Sequence, residues 1–246
     1  MANRNAYHLM RQSVHITDLQ RAIIIGTVLG DGSLIETFSK NNLRLQIDHC
    51  AAQKEYVLWK YEALKPLVLT PPTFQPKNRS WRFRTISHPD LTEIGRLFYQ
   101  NRQKIVPREI ASLLEPIGLA IWFMDDGTYH SSSGYLINTQ NFTHSECLLL
   151  RDALAEKFGI IHTTMHRDHN GWRLYIRSAA TKRFREIVKP FMLASLMYKL
   201  EKPRRDYTLA PGISRRDEDI VHVPEKFGGI MNKAPVAEAV GGSPPF

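Results

Sequence analysis

Cysteine is scarce in this chain. Of 246 residues only Cys50 and Cys147 are cysteines, and they stand far apart. Such a pair builds neither a disulfide framework nor a cysteine zinc centre, and it suits a reducing compartment. Long apolar runs are missing too. No stretch approaches the roughly 18 consecutive apolar residues of a membrane span, and Met1 to Arg11 has no apolar centre of the export-signal kind. The expectation is an intracellular protein of cytoplasm, nucleoid or organelle matrix with no membrane partner. Ten histidines are present, none in HExxH spacing. His162, His166 and His169 lie close together but lack a third acidic or cysteine partner, which argues against zinc. An acidic surplus is absent as well: 33 Lys plus Arg stand against 24 Asp plus Glu, a net charge of +9. That balance favours a polyanionic partner, most simply nucleic acid, over an inert surface. The 43% hydrophobic content is enough for a core of one large or two small domains.

Two stretches organise the rest. Ile24-Ile-Gly-Thr-Val-Leu-Gly-Asp-Gly32 and Leu119-Ala-Ile-Trp-Phe-Met-Asp-Asp-Gly127 are apolar runs of helical length, each ending in aspartate and glycine. A carboxylate is poorly placed at the negative end of a helix dipole. A divalent cation, drawn to carboxylates and to the carbonyl oxygens exposed there, would reward that placement. Asp125, beside Asp126, reads either as an acid supporting the metal ligands or as a solvated cap residue, the latter being favoured.

Thr17-Asp-Leu-Gln20 is a capping box, so a helix should begin near Asp18, and it should stop at Gly30 to Gly32, where glycine tolerates left-handed backbone. Gly26 and Gly30 share one face and suggest a tightly approached helix pair. Ser33 to Cys50 reads as a hairpin with a turn at Lys40-Asn41-Asn42. In its second strand Leu43, Leu45 and Ile47 alternate with Arg44, Gln46 and Asp48. Gln53 to Lys65 should be an amphipathic helix. Phe74 to Thr85 gives a second hairpin, in which Trp81 and Phe83 alternate with Arg82 and Arg84, and His88-Pro89-Asp90 opens a helix to about Asn101. After Pro116 the order begins again. Tyr135 to Phe142 is strand-like with faces that the pattern does not assign, His144 to Phe158 is helical, and Ile160 to Arg177 forms a hairpin around Asp168-His-Asn-Gly171. There Trp172, Leu174 and Ile176 alternate with Arg173, Tyr175 and Arg177. Trp81 and Trp172, on the apolar side of their strands, read as core. From about Pro211 the pattern is that of a flexible tail.

The repeat carries the most weight. Asp31 and Asp126 are 95 residues apart, as are Lys104 and Lys199, and Trp81-Arg82 matches Trp172-Arg173 at an offset of 91. The expected organisation is a first half over 12–105, a linker over 106–115, a second half over 116–210 and a tail over 211–246. These residues resemble the LAGLIDADG homing endonucleases in their single-chain form with two motif copies. Both nine-residue runs align with the motif without a gap, although its often acidic sixth position is Leu29 in one copy and Met124 in the other. Its third position is Gly26 in one and Ile121 in the other, so the two motif helices should not pack symmetrically.

The resemblance implies an α+β fold of two α-β-β-α-β-β-α repeats, packed through the motif helices beneath two antiparallel sheets that form a saddle for DNA. It implies a monomer that hydrolyses both strands of a long duplex target. Asp31, Asp126, Lys104 and Lys199 would be catalytic. Asp31, Asp126, Gly30 and Asp125 would surround Mg²⁺, two or more ions, with Mn²⁺ or Ca²⁺ able to take the same places. Arg44, Gln46, Asp48, Arg82, Arg84, Asn138, Gln140, Arg173, Tyr175 and Arg177 would face the DNA, where arginine can read guanine and glutamine adenine. The alternatives are an intron RNA maturase on the same fold and a non-catalytic DNA-binding regulator.

Overall fold

The structure, a computed structural model, describes residues 14–37, 42–130 and 134–201. The expected tail, and most of the Lys40-Asn41-Asn42 turn, lie outside the described residues. Helix α1 spans Asp18–Leu29 and begins as its capping box dictates: Gln20 N–H donates to Thr17 Oγ1 at 3.2 Å, and Thr17 N–H to Gln20 Oε1 at 3.1 Å. Strands β1 (Ser33–Glu36) and β2 (Leu43–Cys50) follow, then α2 (Lys54–Leu64), β3 (Thr73–Gln75), β4 (Ser80–Arg84) and α3 (Pro89–Phe98). The helix expected to run to about Asn101 stops at Phe98, because Tyr99–Gln100 (β5) and Gln103–Lys104 (β6) pair as a tiny hairpin. Its turn residues, Asn101 and Arg102, both take positive φ, the backbone a two-residue hairpin of this twist requires.

A one-turn helix α4 (Ile110–Leu113) leads to α5 (Pro116–Asp126), the second motif helix, started by Pro116 in its first turn. Strand β7 (Gly127–His130) follows without a break. No alternation marks it in the sequence; only the repeat calls for a strand there. Next come β8 (Gly134–Asn138), α6 (His144–Phe158), β9 (Thr163–Asp168), β10 (Gly171–Ile176) and α7 (Ser178–Val188). The strand expected to reach Phe142 ends at Asn138, which leaves Gln140 in the turn before α6. Helix α6 repeats the capping box of α1 with Thr143 and Glu146.

The two sheets have the same antiparallel order, β1-β2-β4-β3 and β7-β8-β10-β9. One topology executed twice is what the sequence repeat foretold. Leu45, Ile47 and Phe83 in the first sheet, and Tyr135, Ile137, Leu174 and Ile176 in the second, are buried against helices. The alternation therefore turns Arg44, Gln46, Asp48, Arg82 and Arg84, and likewise Leu136, Asn138, Arg173 and Tyr175, to the opposite faces. Trp81 and Trp172, expected in the core, are half-buried instead. Lys54 Nζ lies 4.5 Å from the ring centroid of Trp81, and the Arg167 guanidinium 5.8 Å from that of Trp172.

Helices α1 and α5 are nearly all buried and pack on each other. Their approach is set by glycine: a Cβ on Gly26 would lie 2.7 Å from Gly118 Cα. The partner of Gly26 is thus not the third position of the second motif, which is Ile121, but a residue just before that motif. This offset is how a helix pair with unlike third positions still closes.

Candidate active site

Each motif helix ends where its lysine sits. Lys104, delivered by the β5–β6 hairpin, donates to Gly30 O at 2.8 Å and Gly32 O at 2.9 Å. Lys199, at the end of a 3₁₀ helix over Ala194–Lys199, donates to Met124 O and, at 3.1 Å, to Asp125 O. A buried cation against the last carbonyls of a helix offsets the dipole that disfavours the aspartates there. Burial pushes both lysines below the ordinary lysine pKa, while Asp31, Asp125 and Asp126 pull them back up. Different local structures therefore bring the two lysines to matching places.

The ends of the two motif helices meet across the pair. Asp31 N–H donates to Asp125 Oδ2 at 3.1 Å, so the end of α1 touches the residue next to Asp126. Burial raises the pKa of Asp126 to about 7, and the negative charges of Asp31 and Asp125 add to it. Burial first and Asp125 second also raise that of Asp31, against the pull of Lys60, Lys199 and Lys104. The Asp31 side chain is 47% exposed. No described Lys, Arg or His forms an ion pair with Asp126. Carboxylates gathered in a partly dry seam, Asp126 without an ion-pair partner among the described residues, form a hard-oxygen donor set that fits a divalent cation.

Asp125 is not the solvated cap residue favoured by the sequence. Its carboxylate is fully buried, because it points back across the seam into the first half. Lys60 Nζ, itself fully buried, lies 2.9 Å from Asp125 Oδ1 and 3.1 Å from Oδ2, and Tyr56 Oη donates to Oδ1 at 2.7 Å. Lys60 Nζ is also 3.2 Å from His49 Nε2, and His49 Nδ1 is 3.6 Å from Asp31 Oδ2. Burial, then the Lys60 charge, lowers the His49 pKa to about 4, so its ring is neutral at ordinary pH. The carboxylate dictates the glycine opposite, since a Cβ on Gly30 would stand 2.5 Å from Asp125 Oδ2. Gly30 has φ −88°. The reason for glycine there is space, not the left-handed backbone expected from the sequence.

His49, Tyr56 and Lys60 were missed as site residues, although a signal existed. His49 continues the inward phase of Leu45 and Ile47 on β2, and Lys60 lies one turn from Tyr56 on the buried face of α2. Among the described residues one group of metal-capable side chains converges, Asp31, His49 and Asp125, with ligand atoms all within 4.8 Å of one another. The expected pair of equivalent sites is therefore not what the described residues contain, because the seventh motif position is aspartate in one copy and glycine in the other. Lys60 already places a cation among these three groups.

On the outer face of the first sheet, Arg82 Nε donates to Asp48 Oδ2 at 2.8 Å and Arg84 Nε to Gln46 Oε1 at 2.7 Å, across the β2–β4 ladder. With Arg44, Thr73 and Gln75 these arginines line an open polar groove. On the second sheet, Arg173 pairs with Asp168 at 2.6 Å, Asn138 Nδ2 donates to Asp126 O at 3.0 Å, and Tyr175 lies edge-on between the rings of His130 and His166. Arg177, just before α7, is exposed, and Gln140 is half-buried beside Gly171. No described helix is long and apolar enough to cross a membrane. Cys50 and Cys147 are both free thiols.

A family model described as the LAGLIDADG DNA endonuclease family matches residues 21–184. "DNA endonuclease I-ChuI" of Chlamydomonas applanata is 31% identical over 208 residues, which cover 75% of this chain and 95% of that protein. "Protein RecA" of Mycolicibacterium chitae is 28% identical over 222 residues, and this chain spans about half of its length, 52%. Among solved structures, the homing endonuclease I-WcaI bound to its DNA recognition sequence has the same fold, with a TM-score of 0.72 at 23% identity over 82% of this chain and 93% of that one.

Proposed function

This chain belongs to the LAGLIDADG DNA endonuclease family, and on that premise we propose that it is a site-specific endonuclease that cuts both strands of a long DNA target as a monomer. Its working halves are 12–105 and 116–210, joined by 106–115. The observation that carries the reading is the pair of motif aspartates at the ends of a glycine-tight helix pair, where Asp31 N–H reaches Asp125 and the charge of Asp31 is felt by Asp126, together with sheets whose outer faces bear arginine, glutamine and asparagine.

Asp31 and Asp126, with carbonyl oxygens at the helix ends, would hold the divalent cation, with Mg²⁺ the best match to hard oxygen donors. Bound there, the ion supplies Lewis-acid stabilisation of the scissile phosphate and lowers the pKa of a coordinated water. Lys104 and Lys199 hold the helix ends in place and set positive charge beside the phosphate, where negative charge grows during hydrolysis. Asp125, although close, has its carboxylate engaged by Lys60 and Tyr56, and so acts on the geometry of Asp31 instead of binding the ion directly. Arg44, Gln46, Arg82 and Arg84 on one sheet, and Asn138, Arg173, Tyr175 and Arg177 at the other, supply phosphate contacts and base reading. The +9 charge drives the initial, salt-sensitive encounter.

The deciding experiment incubates the full chain with a library of randomised duplexes and Mg²⁺ or Mn²⁺, then sequences the cleaved ends. Recovery of one long target, cut on both strands and protected by a chelator, is expected. Binding without cutting in either metal would identify a regulator, and preference for structured intron RNA over duplex in competition would identify a maturase.

A further inference from the structure

The proposed reaction leaves His49, Tyr56 and Lys60 without a direct role, yet they surround Asp31 from inside. An ammonium group has three N–H donors and no acceptor. Lys60 directs them at both oxygens of Asp125 and at His49 Nε2. Nε2 must therefore carry the lone pair, so the neutral ring of His49 bears its proton on Nδ1. That nitrogen faces Asp31 Oδ2 at 3.6 Å, just beyond hydrogen-bond length. The same network takes the main chain of Asp31, whose N–H donates to Asp125 Oδ2. Asp31 is thus held by its main chain and faced at its carboxylate by one buried network.

Across the seam the arrangement is not repeated among the described residues. Gly30, in the motif position of Asp125, has no side chain to receive an N–H, and the contact recorded near Asp126 is that of Asn138 with its carbonyl oxygen. We infer that His49, its tautomer fixed by Lys60, positions the Asp31 carboxylate while Asp125 positions its backbone, which makes the two cleavage centres unequal and ties the rate on one DNA strand to this network. The inference rests on the nuclease reading above. His49 is a positioning residue: it acts through Asp31 and touches neither DNA nor the water that attacks.

The test uses the duplex recovered from the cleavage selection, labelled with a different fluorophore on each strand, and follows the nicking of both strands under single-turnover conditions. Binding is measured separately in Ca²⁺ by anisotropy. His49→Leu removes the Nδ1–H, whereas His49→Asn offers an amide N–H in nearly the same place. The expected result is a change of about tenfold or more in the ratio of the two strand rates for His49→Leu, recovery toward the original ratio in His49→Asn, and unchanged affinity in both. Equal slowing of the two strands, an unchanged ratio, or a loss of affinity shared by both variants would overturn the inference. Unmodified protein that binds but nicks neither strand would instead sink the nuclease reading itself.

Discussion

The two halves share a topology but not the way they hold an acid. In the first, Asp31 ends its helix half-exposed, with a buried lysine, histidine and tyrosine behind it and a carboxylate from the other half in contact with its main chain. In the second, Asp126 has no described ion-pair partner and its carboxyl is pushed to about pKa 7. A duplicated fold thus fixes where the two acids lie and leaves their surroundings free to diverge. The difference at the seventh motif position, Gly30 against Asp125, together with His49, Tyr56 and Lys60 in the first half, places the buried network on one side.

The largest effect expected is on chemistry. Asp31→Asn and Asp126→Asn should each reduce double-strand cleavage by at least about a hundredfold while DNA affinity in Ca²⁺ stays within a few-fold. Full activity in either variant would remove that aspartate from the centre. The next is on stability. Lys60→Met leaves Asp125 buried and unpaired and should cost about 3–5 kcal/mol in denaturant unfolding, whereas Lys60→Met combined with Asp125→Leu should recover most of that loss. Failure of the double variant to recover would mean that the network is not a closed unit.

A pH series sharpens the comparison further. Asp126 has its folded-state pKa raised from 3.8 to about 7. The metal-free protein is therefore favoured while this carboxyl is protonated, and it loses stability as pH rises from about 4 through 7. Asp126→Asn should flatten that decline, with a melting temperature that overtakes the unmodified protein's above pH 7, and added Mg²⁺ should restore the latter by mass action. Parallel melting curves of the two proteins from pH 4 to 8 would contradict the assignment. Smallest is Gly30→Ala, expected to cost about 1–3 kcal/mol because the new methyl meets the Asp125 carboxylate. A neutral outcome would show that the carboxylate can move aside.

Much of this was legible in the residues. Alternation on β2, β4 and β10 assigned the inner and outer faces, the capping box placed the start of α1, and the paired motifs with their lysines marked the ends of both central helices. The illegible parts depended on contacts between distant segments. Asp125 read as solvated because a carboxylate at a helix end usually faces water, and only the buried Lys60, 65 positions earlier, reverses that expectation. Strand β7 was called for only by the repeat, since it follows the motif directly, with too few residues for a period to show. Gln140 was assigned to a strand that stops two residues short of it. The tryptophans are half-buried beside Lys54 of α2 and Arg167 of β9, neighbours that alternation alone does not register.

The fit between Gly30 and Asp125 has a practical consequence for anyone grafting the front of one such nuclease onto the back of another. A hybrid whose front half brings alanine or anything larger at position 30 collides with the carboxylate supplied by the back half, and one whose back half brings glycine at 125 strands Lys60 in the interior with no counter-ion. The two positions travel as a matched lock and key, so the compatibility of such hybrids can be screened from two letters of sequence before a gene is made.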